Sequence, residues 1–282
     1  MTREEIIEKA KKGFIPAPSP MTKSNKITLA VGAGAVENAW NPVIKALQND
    51  FEFEIDGDCA NSYLARIVYL TRFYTHPKAT LLKEMLSNVK RVKLGICKQL
   101  KKAEQAKSIR ARKDLSSILH KFVFSDDLAS LMVLNTNWDT VMDKAINKLA
   151  EPYYEHIPVI HIHGEASQPD SLYLPSEMAV EAYRTEKESE DFSTMHRNVW
   201  SSMELSSKTI LYGLSLDPLD AELCQTLAAG WSTPKCQEII IIDPQHEKIA
   251  KRVKMLTDKR YKTEITGYLP WDLSNKTVYQ TK

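Results

Sequence analysis

Two stretches carry side chains suited to chemistry at the ends of short apolar runs. Residues 134–139 read LNTNWD and residues 160–165 read IHIHGE. The first puts a carboxamide, Asn137, and a carboxylate, Asp139, just past a run that reads as a buried strand. The second puts an imidazole, His163, at the equivalent point. A histidine titrates near neutrality and can serve as a general base. A carboxamide does not titrate and acts by hydrogen-bonding a water or a sugar hydroxyl. In open α/β sheets ligands bind outside the carboxyl ends of the strands. Asn137 and His163 are therefore expected to face one another across a bound nucleotide. The plain alternative for His163 is a strand-end histidine satisfied by a neighbouring carbonyl; for Asn137 and Asp139 it is helix capping. His161 shares a strand face with His163, because strand side chains alternate. It reads as a packed core histidine or as a support for its neighbour.

The elements that must hold these groups can be read in chain order. KITLAV, 26–31, reads as the first strand and runs into Gly32-Ala33-Gly34-Ala35, with helical spacing over 40–47. Strand, glycine turn and helix together form an arrangement whose N–H groups can meet a phosphate, although a G-x-G is also an ordinary tight turn. Residues 51–56 alternate like a short strand. Further strands are expected at 131–134, 157–162, 172–174, 209–212 and 238–242. Helices are expected at 139–149, 192–205, 217–227 and 247–256, with Ser176 as an N-cap and 186–191 as an acidic loop. Gly213-Leu214-Ser215 and Asp243-Pro244 follow the last two strands. Asp217 and Asp220 read as residues flanking a helix start. Asp243 has the sequence of a turn starter. Strands alternating with helices predict an α/β fold, a Rossmann-like parallel sheet with helices on both faces. Right-handed crossovers bring the strand tips to one edge.

The expected organisation is an N-terminal arm at 1–25, with a charged helix at 3–12 and an extended PAPSP at 16–20, and a nucleotide-binding domain formed by 26–57 and 124–258. A helical insertion occupies 58–123 between the first two core strands, and a tail occupies 259–282. The insertion is basic: 83–113 holds eleven Lys or Arg against Glu84 and Glu104, a local excess of +9 in a chain whose formal net charge is +2. Such a stretch can bind phosphate backbones or an acidic partner. No aromatics are interleaved to stack bases, which favours a solvated face over nucleic acid. No apolar run reaches the ~18 residues of a membrane span, and the first residues lack the apolar core of a secretory signal. The four cysteines are far apart and none forms a C-x-x-C pair, so neither a metal site nor a disulfide framework is expected, and a reducing cytoplasm is the simplest compartment.

The ordered set GAG, TNWD, HG, GLS and IIIID resembles the sirtuin (silent information regulator) family, and more narrowly the sirtuin-like NAD-cleaving domains of prokaryotic antiphage defence systems. The resemblance covers roughly 26–245. It implies NAD, as substrate, lying across the strand tips. Gly32, Ala33 and Gly34 match the phosphate-binding turn. Asn137 and Asp139 match the paired residues of the family's T-x-N-x-D or T-N-x-D motif, and His163 matches its catalytic histidine. Gly213 and Ser215 match the small-residue turn lining the cofactor. Asp243 matches the contact to the adenine-side ribose. The loop at 36–40 is shorter than the family's, and the zinc-binding cysteines of the deacylase branch are absent. The resemblance thus implies cleavage of NAD to nicotinamide and ADP-ribose, with control by a partner subunit or by homo-oligomerisation and NAD depletion on infection. Other readings are a non-catalytic nucleotide-binding module, a deacylase or ADP-ribosyltransferase, and a nucleic-acid binder built on the basic helices.

Overall fold

A computed structural model describes residues 25–48, 55–74, 79–125, 129–154 and 157–279. Residues 1–24 of the expected arm lie outside these residues, as does 51–54 of the expected strand at 51–56, and Asn25 begins the first strand. In chain order the elements are β1 (Asn25–Val31), β2 (Val36–Glu37), α1 (Trp40–Leu47), α2 (Gly57–Tyr74), α3 (Ala79–Gln105), β3 (Arg110–Ala111), α4 (Leu115–Phe122), β4 (Ala129–Asn135), α5 (Val141–Ala150) and β5 (Val159–His161). They continue with α6 (Glu186–Met203), β6 (Lys208–Tyr212), α7 (Ala221–Trp231), β7 (Glu238–Ile242), α8 (His246–Leu256), β8 (Glu264–Leu269) and β9 (Asp272–Tyr279).

Seven strands form one sheet in the order β5-β4-β1-β6-β7-β8-β9. The first six are parallel and β9 alone is antiparallel. Strand succession runs outward from β1 through β4 to β5, then returns to β6 on the other flank. This is the Rossmann order, and the reversal falls between β1 and β6. The fold is therefore α/β and Rossmann-like, as expected.

Period two decides which helices cover which face. Ile210 and Tyr212 of β6 and Ile240 and Ile242 of β7 join a core with α1 to α5. Leu211, Ile239 and Ile241 turn to the other face and pack on α6, α7 and α8. A strand such as EIIII, apolar on both faces, is stable only in this sandwiched setting. No helix among the described residues is long and apolar enough to cross a membrane.

Several expectations are corrected. The stretch read as a tail contains β8 and β9, which extend the sheet. Residues 172–174 pair with no strand, and Ser176 caps no helix: its backbone φ is +67 and its N–H donates to the Leu219 carbonyl at 2.8 Å. The acidic run 186–191 is the start of α6 instead of a loop. Thr185 and Glu188 form a reciprocal capping box there, and acidic side chains suit a helix N-terminus. The helix expected from 217 begins at Ala221. Among the described residues of 58–123 the chain forms α2, α3 and α4, with a non-helical stretch at 106–114 that contains β3, which pairs with β2.

Candidate functional site at the strand tips

The tip of β4 is tied to the tip of β1. Thr136 donates its N–H and its hydroxyl to the Val31 carbonyl, both at 3.0 Å. Asn137 donates its side-chain amide to the Gly32 carbonyl at 3.3 Å and is 7% exposed. Its own N–H is received by the Asn135 side chain at 2.9 Å. Asp139 is used locally: its Oδ1 accepts the Val141 N–H at 3.0 Å, at the start of α5. Burial pushes the Asp139 carboxyl up to about 6, against the pull of that N–H.

The tip of β5 stands beside it. Asn135 pairs with His161, so Asn137 and His163 each lie two residues beyond the same rung of the ladder. His161 places Nδ1 3.0 Å from the Asn137 carbonyl and Nε2 2.6 Å from Asp143. His163 repeats the pattern, with Nδ1 3.1 Å from the Thr136 carbonyl and Nε2 3.1 Å from the Asp220 carboxylate. A carbonyl and a carboxylate only accept, so each imidazole fits its partners best when both nitrogens carry protons. Burial, the largest influence, opposes that charge on His163, yet the Asp220 carboxylate, the Thr136 carbonyl and Glu177 together leave the pKa raised. His161 is raised in the same way by Asp143, again against burial.

A cover closes over His163. Gly164, at φ +75, turns the chain so tightly that an added Cβ would stand 1.8 Å from the Ser171 carbonyl oxygen. Only glycine takes that conformation without cost. The returning segment lays Tyr173 against the His163 ring, centroids 5.8 Å apart and 17° from parallel. The Tyr173 hydroxyl bonds to the Glu222 carboxylate; burial and that carboxylate push the phenol far up. Beyond Tyr173, His196 is buried with neither ring nitrogen hydrogen-bonded among the described residues. Burial lowers its pKa, the opposite direction to His161 and His163.

Buried carboxylates pin the rest of this segment to the insertion helices. Glu177 accepts from Lys93 of α3 at 3.1 Å, from Tyr183 at 2.8 Å and from the Leu174 N–H at 2.7 Å. Glu181 is held by the Arg72 guanidinium of α2. Part of the insertion's positive charge is therefore internal structure. Lys90, Arg91, Lys98, Lys101 and Lys102 remain exposed.

The glycine turns meet at the β1–β6 reversal. Gly32 donates to the Tyr212 carbonyl at 3.0 Å, Gly34 to the Gly213 carbonyl at 2.9 Å, and Ala35 to the Gly32 carbonyl at 2.9 Å. Three N–H groups of the expected phosphate turn are thus already used, and α1 begins only at Trp40. Ala33 is half-buried and Ser215 is exposed. Past β7, Asp243 accepts the Gln245 N–H at 2.7 Å, the turn-starter arrangement, and burial raises its pKa.

A cavity of about 310 Å³ lies beside the β4 and β5 tips, lined by Lys101, Glu104, Thr140, Lys144, Glu165 and Ser167 among others. Neither Asn137 nor His163 lines it. Among the described residues no group of three His, Cys, Asp or Glu side chains is close enough to hold a metal. No family model and no curated protein matches the chain.

The structure places Asn137 and His163 past adjacent strand ends, as expected, and adds Asp220, Tyr173 and Glu222, which the sequence did not join to them. Asp220 was read as a helix flank. It occupies the N-cap position of α7 yet makes no capping bond, which leaves its carboxylate for His163. Asp217 satisfies the local turn instead, accepting the Leu219 N–H at 2.9 Å.

Proposed function

We propose that this chain is an NAD glycohydrolase, cleaving the bond between nicotinamide and ribose with Asn137 and His163 at the reacting end. One observation carries the reading. A histidine paired with a half-buried carboxylate stands at the tip of β5, and a carboxamide stands at the matching position past β4. The resemblance of the five motifs to sirtuin-like NAD-cleaving domains supports the choice of substrate.

Nicotinamide leaves from a cationic nitrogen, so the break needs no proton. The bonding pair passes to the ring nitrogen and neutralises it, leaving a ribose of oxocarbenium character. A water held by the Asn137 carboxamide adds to that carbon and loses a proton to His163, which returns it to solvent. The products are nicotinamide, ADP-ribose and one proton. An imidazolium can neither take that proton nor sit comfortably beside a cationic transition state. Since Asp220 holds the His163 pKa up, activity is expected to fall at a higher pH than an ordinary histidine would dictate.

Nicotinamide release by the purified full chain tests this. His163→Ala should cut the rate at least ~100-fold, and Asn137→Ala should also be strongly impaired. A rate unchanged in His163→Ala removes the histidine from the mechanism. A non-catalytic nucleotide-binding module is the second reading, favoured by the shortened loop at 36–40; it predicts nucleotide binding with no release in any variant. We extend the leading proposal to a defence effector that depletes NAD and is restrained by a partner subunit or by self-assembly. Light scattering on the chain with and without NAD distinguishes the two restraints.

A further inference from the structure

We propose that Arg112, near the end of the basic insertion, binds the diphosphate of the dinucleotide. The proposal rests on the reading that a dinucleotide lies across the strand tips. From β5 to β7 the sheet edge runs four interstrand spacings, about 19 Å at ~4.8 Å each. A ligand reaching from His163 to Asp243 is elongated, and its middle falls at the β1–β6 reversal. Rossmann sheets bring the pyrophosphate to the β1 turn at this point. Here the N–H groups of Gly32, Gly34 and Ala35 are spent on Tyr212, Gly213 and Gly32. That leaves the turn few backbone donors for a diphosphate at the reversal.

Arg112 stands at that spot. Its backbone N–H donates to the Ala35 carbonyl at 3.1 Å, which fixes it against the glycine turn. Its Nε donates to Asp114 at 3.2 Å, and Asp114 also accepts at 3.0 Å from the hydroxyl of Tyr212, the last residue of β6. The positive charge also offsets part of the cost of burying Asp243 past β7. The Arg112 side chain keeps 32% of its surface exposed, against 14% for Asp114. The guanidinium is thus aimed by a half-buried carboxylate and keeps part of its surface open to a ligand. Its planar fork matches phosphate oxygens, and unlike lysine it does so with fixed geometry. The insertion then supplies by side chain what the glycine turn would otherwise give by backbone.

Isothermal titration of the full-length chain with ADP, adenosine and inorganic pyrophosphate tests the assignment. ADP should bind more tightly than adenosine, with pyrophosphate alone weaker than ADP. Arg112→Gln should lose at least tenfold in ADP affinity and leave adenosine unchanged. Equal ADP affinity in the two proteins, or no preference of the wild type for ADP over adenosine, overturns the proposal. If the variant does not fold, the wild type still decides. Phenylglyoxal modification of Arg112, followed by peptide mass, should be slowed by ADP and not by adenosine; modification unaffected by ADP overturns it. None of these measurements reads nicotinamide release. An inactive chain that binds ADP through Arg112 sinks the hydrolase reading alone, and an active chain whose ADP affinity ignores Arg112 sinks this one alone.

Discussion

The tip of β5 and the junction of the β1 and β6 tips lie on the same sheet edge and are built by opposite means. At β5, side chains satisfy side chains: His163 on Asp220, His161 on Asp143, Tyr173 on Glu222. At the junction, backbone satisfies backbone, and glycines are there because two turns approach within bonding distance. The difference teaches that a G-x-G after a strand announces close approach of something, without saying what. Here it is another turn of the same chain. Charge placed by side chains can be recruited to chemistry; a closed backbone turn can serve as a floor.

The largest effect should come from prising that junction apart. Gly213 has φ +60, and an added Cβ would lie 2.1 Å from the Ala35 nitrogen. Left-handed strain of ~1–2 kcal/mol adds to overpacking of ~1–3 kcal/mol, so Gly213→Ala should cost about 2–5 kcal/mol in urea unfolding. A cost near zero would mean that the turns part easily and leave an open phosphate cradle after all.

Next comes the cover over β5. Lys93 is 11% exposed and bound to a fully buried Glu177, whereas Lys98, five residues along α3, is exposed. Removing one partner of a buried pair typically costs ~3–5 kcal/mol. Arg184, Tyr183 and the Leu174 N–H still hold Glu177, so about 2–3 kcal/mol is expected for Lys93→Ala. Lys98→Ala should stay within ~0.5 kcal/mol. Equal costs would show that the insertion's charge is solvated throughout.

Legibility divides along the same line. The parallel strands were readable because β-branched runs such as 238–242 suit only a doubly covered sheet. β8 and β9 were not: 272–279 is mostly polar and largely exposed, as an edge strand allows. The start of α6 could have been read from the T-x-x-E box at 185–188, which the run of acidic residues disguised as a loop. The placement of Asn137 and His163 past strand ends was legible because each follows an apolar run directly. Their partners were not, since Asp220 reaches His163 across 57 residues and nothing local separates it from Asp217. Likewise nothing in GAG says that Gly213 will meet it.

Asp220→Asn probes the side-chain-built tip with little change of volume. Loss of the carboxylate charge removes what raises the His163 pKa. The acid limb of kcat/KM for nicotinamide release should move to lower pH. The plateau should fall ~10–100-fold as the ring loses its alignment, equivalent to ~1.4–2.7 kcal/mol. A purely structural role for Asp220 would lower stability and leave the limb where it was.

The smallest effect, Asp139→Asn, sharpens the comparison at the β4 tip between them. Asp139 is buried and its carboxyl is pushed up to about 6 in the folded chain, above its value near ~3.9 when unfolded. Folding therefore favours the protonated form. The associated stability is fully present below the unfolded value and is lost as pH rises through about 6. Asparagine keeps an oxygen for the Val141 N–H and carries no charge. The variant should match the wild type near pH ~4 and become more stable between there and pH ~6.5. The ceiling is about 3 kcal/mol at ~1.4 kcal/mol per pH unit, with ~1–2 kcal/mol expected once the site relaxes. If nicotinamide release is unchanged, Asp139 merely starts α5. If stability rises while KM for NAD also rises, the buried charge is retained at a cost to the fold because it meets the substrate, and the β4 tip joins β5 as a side-chain-built site.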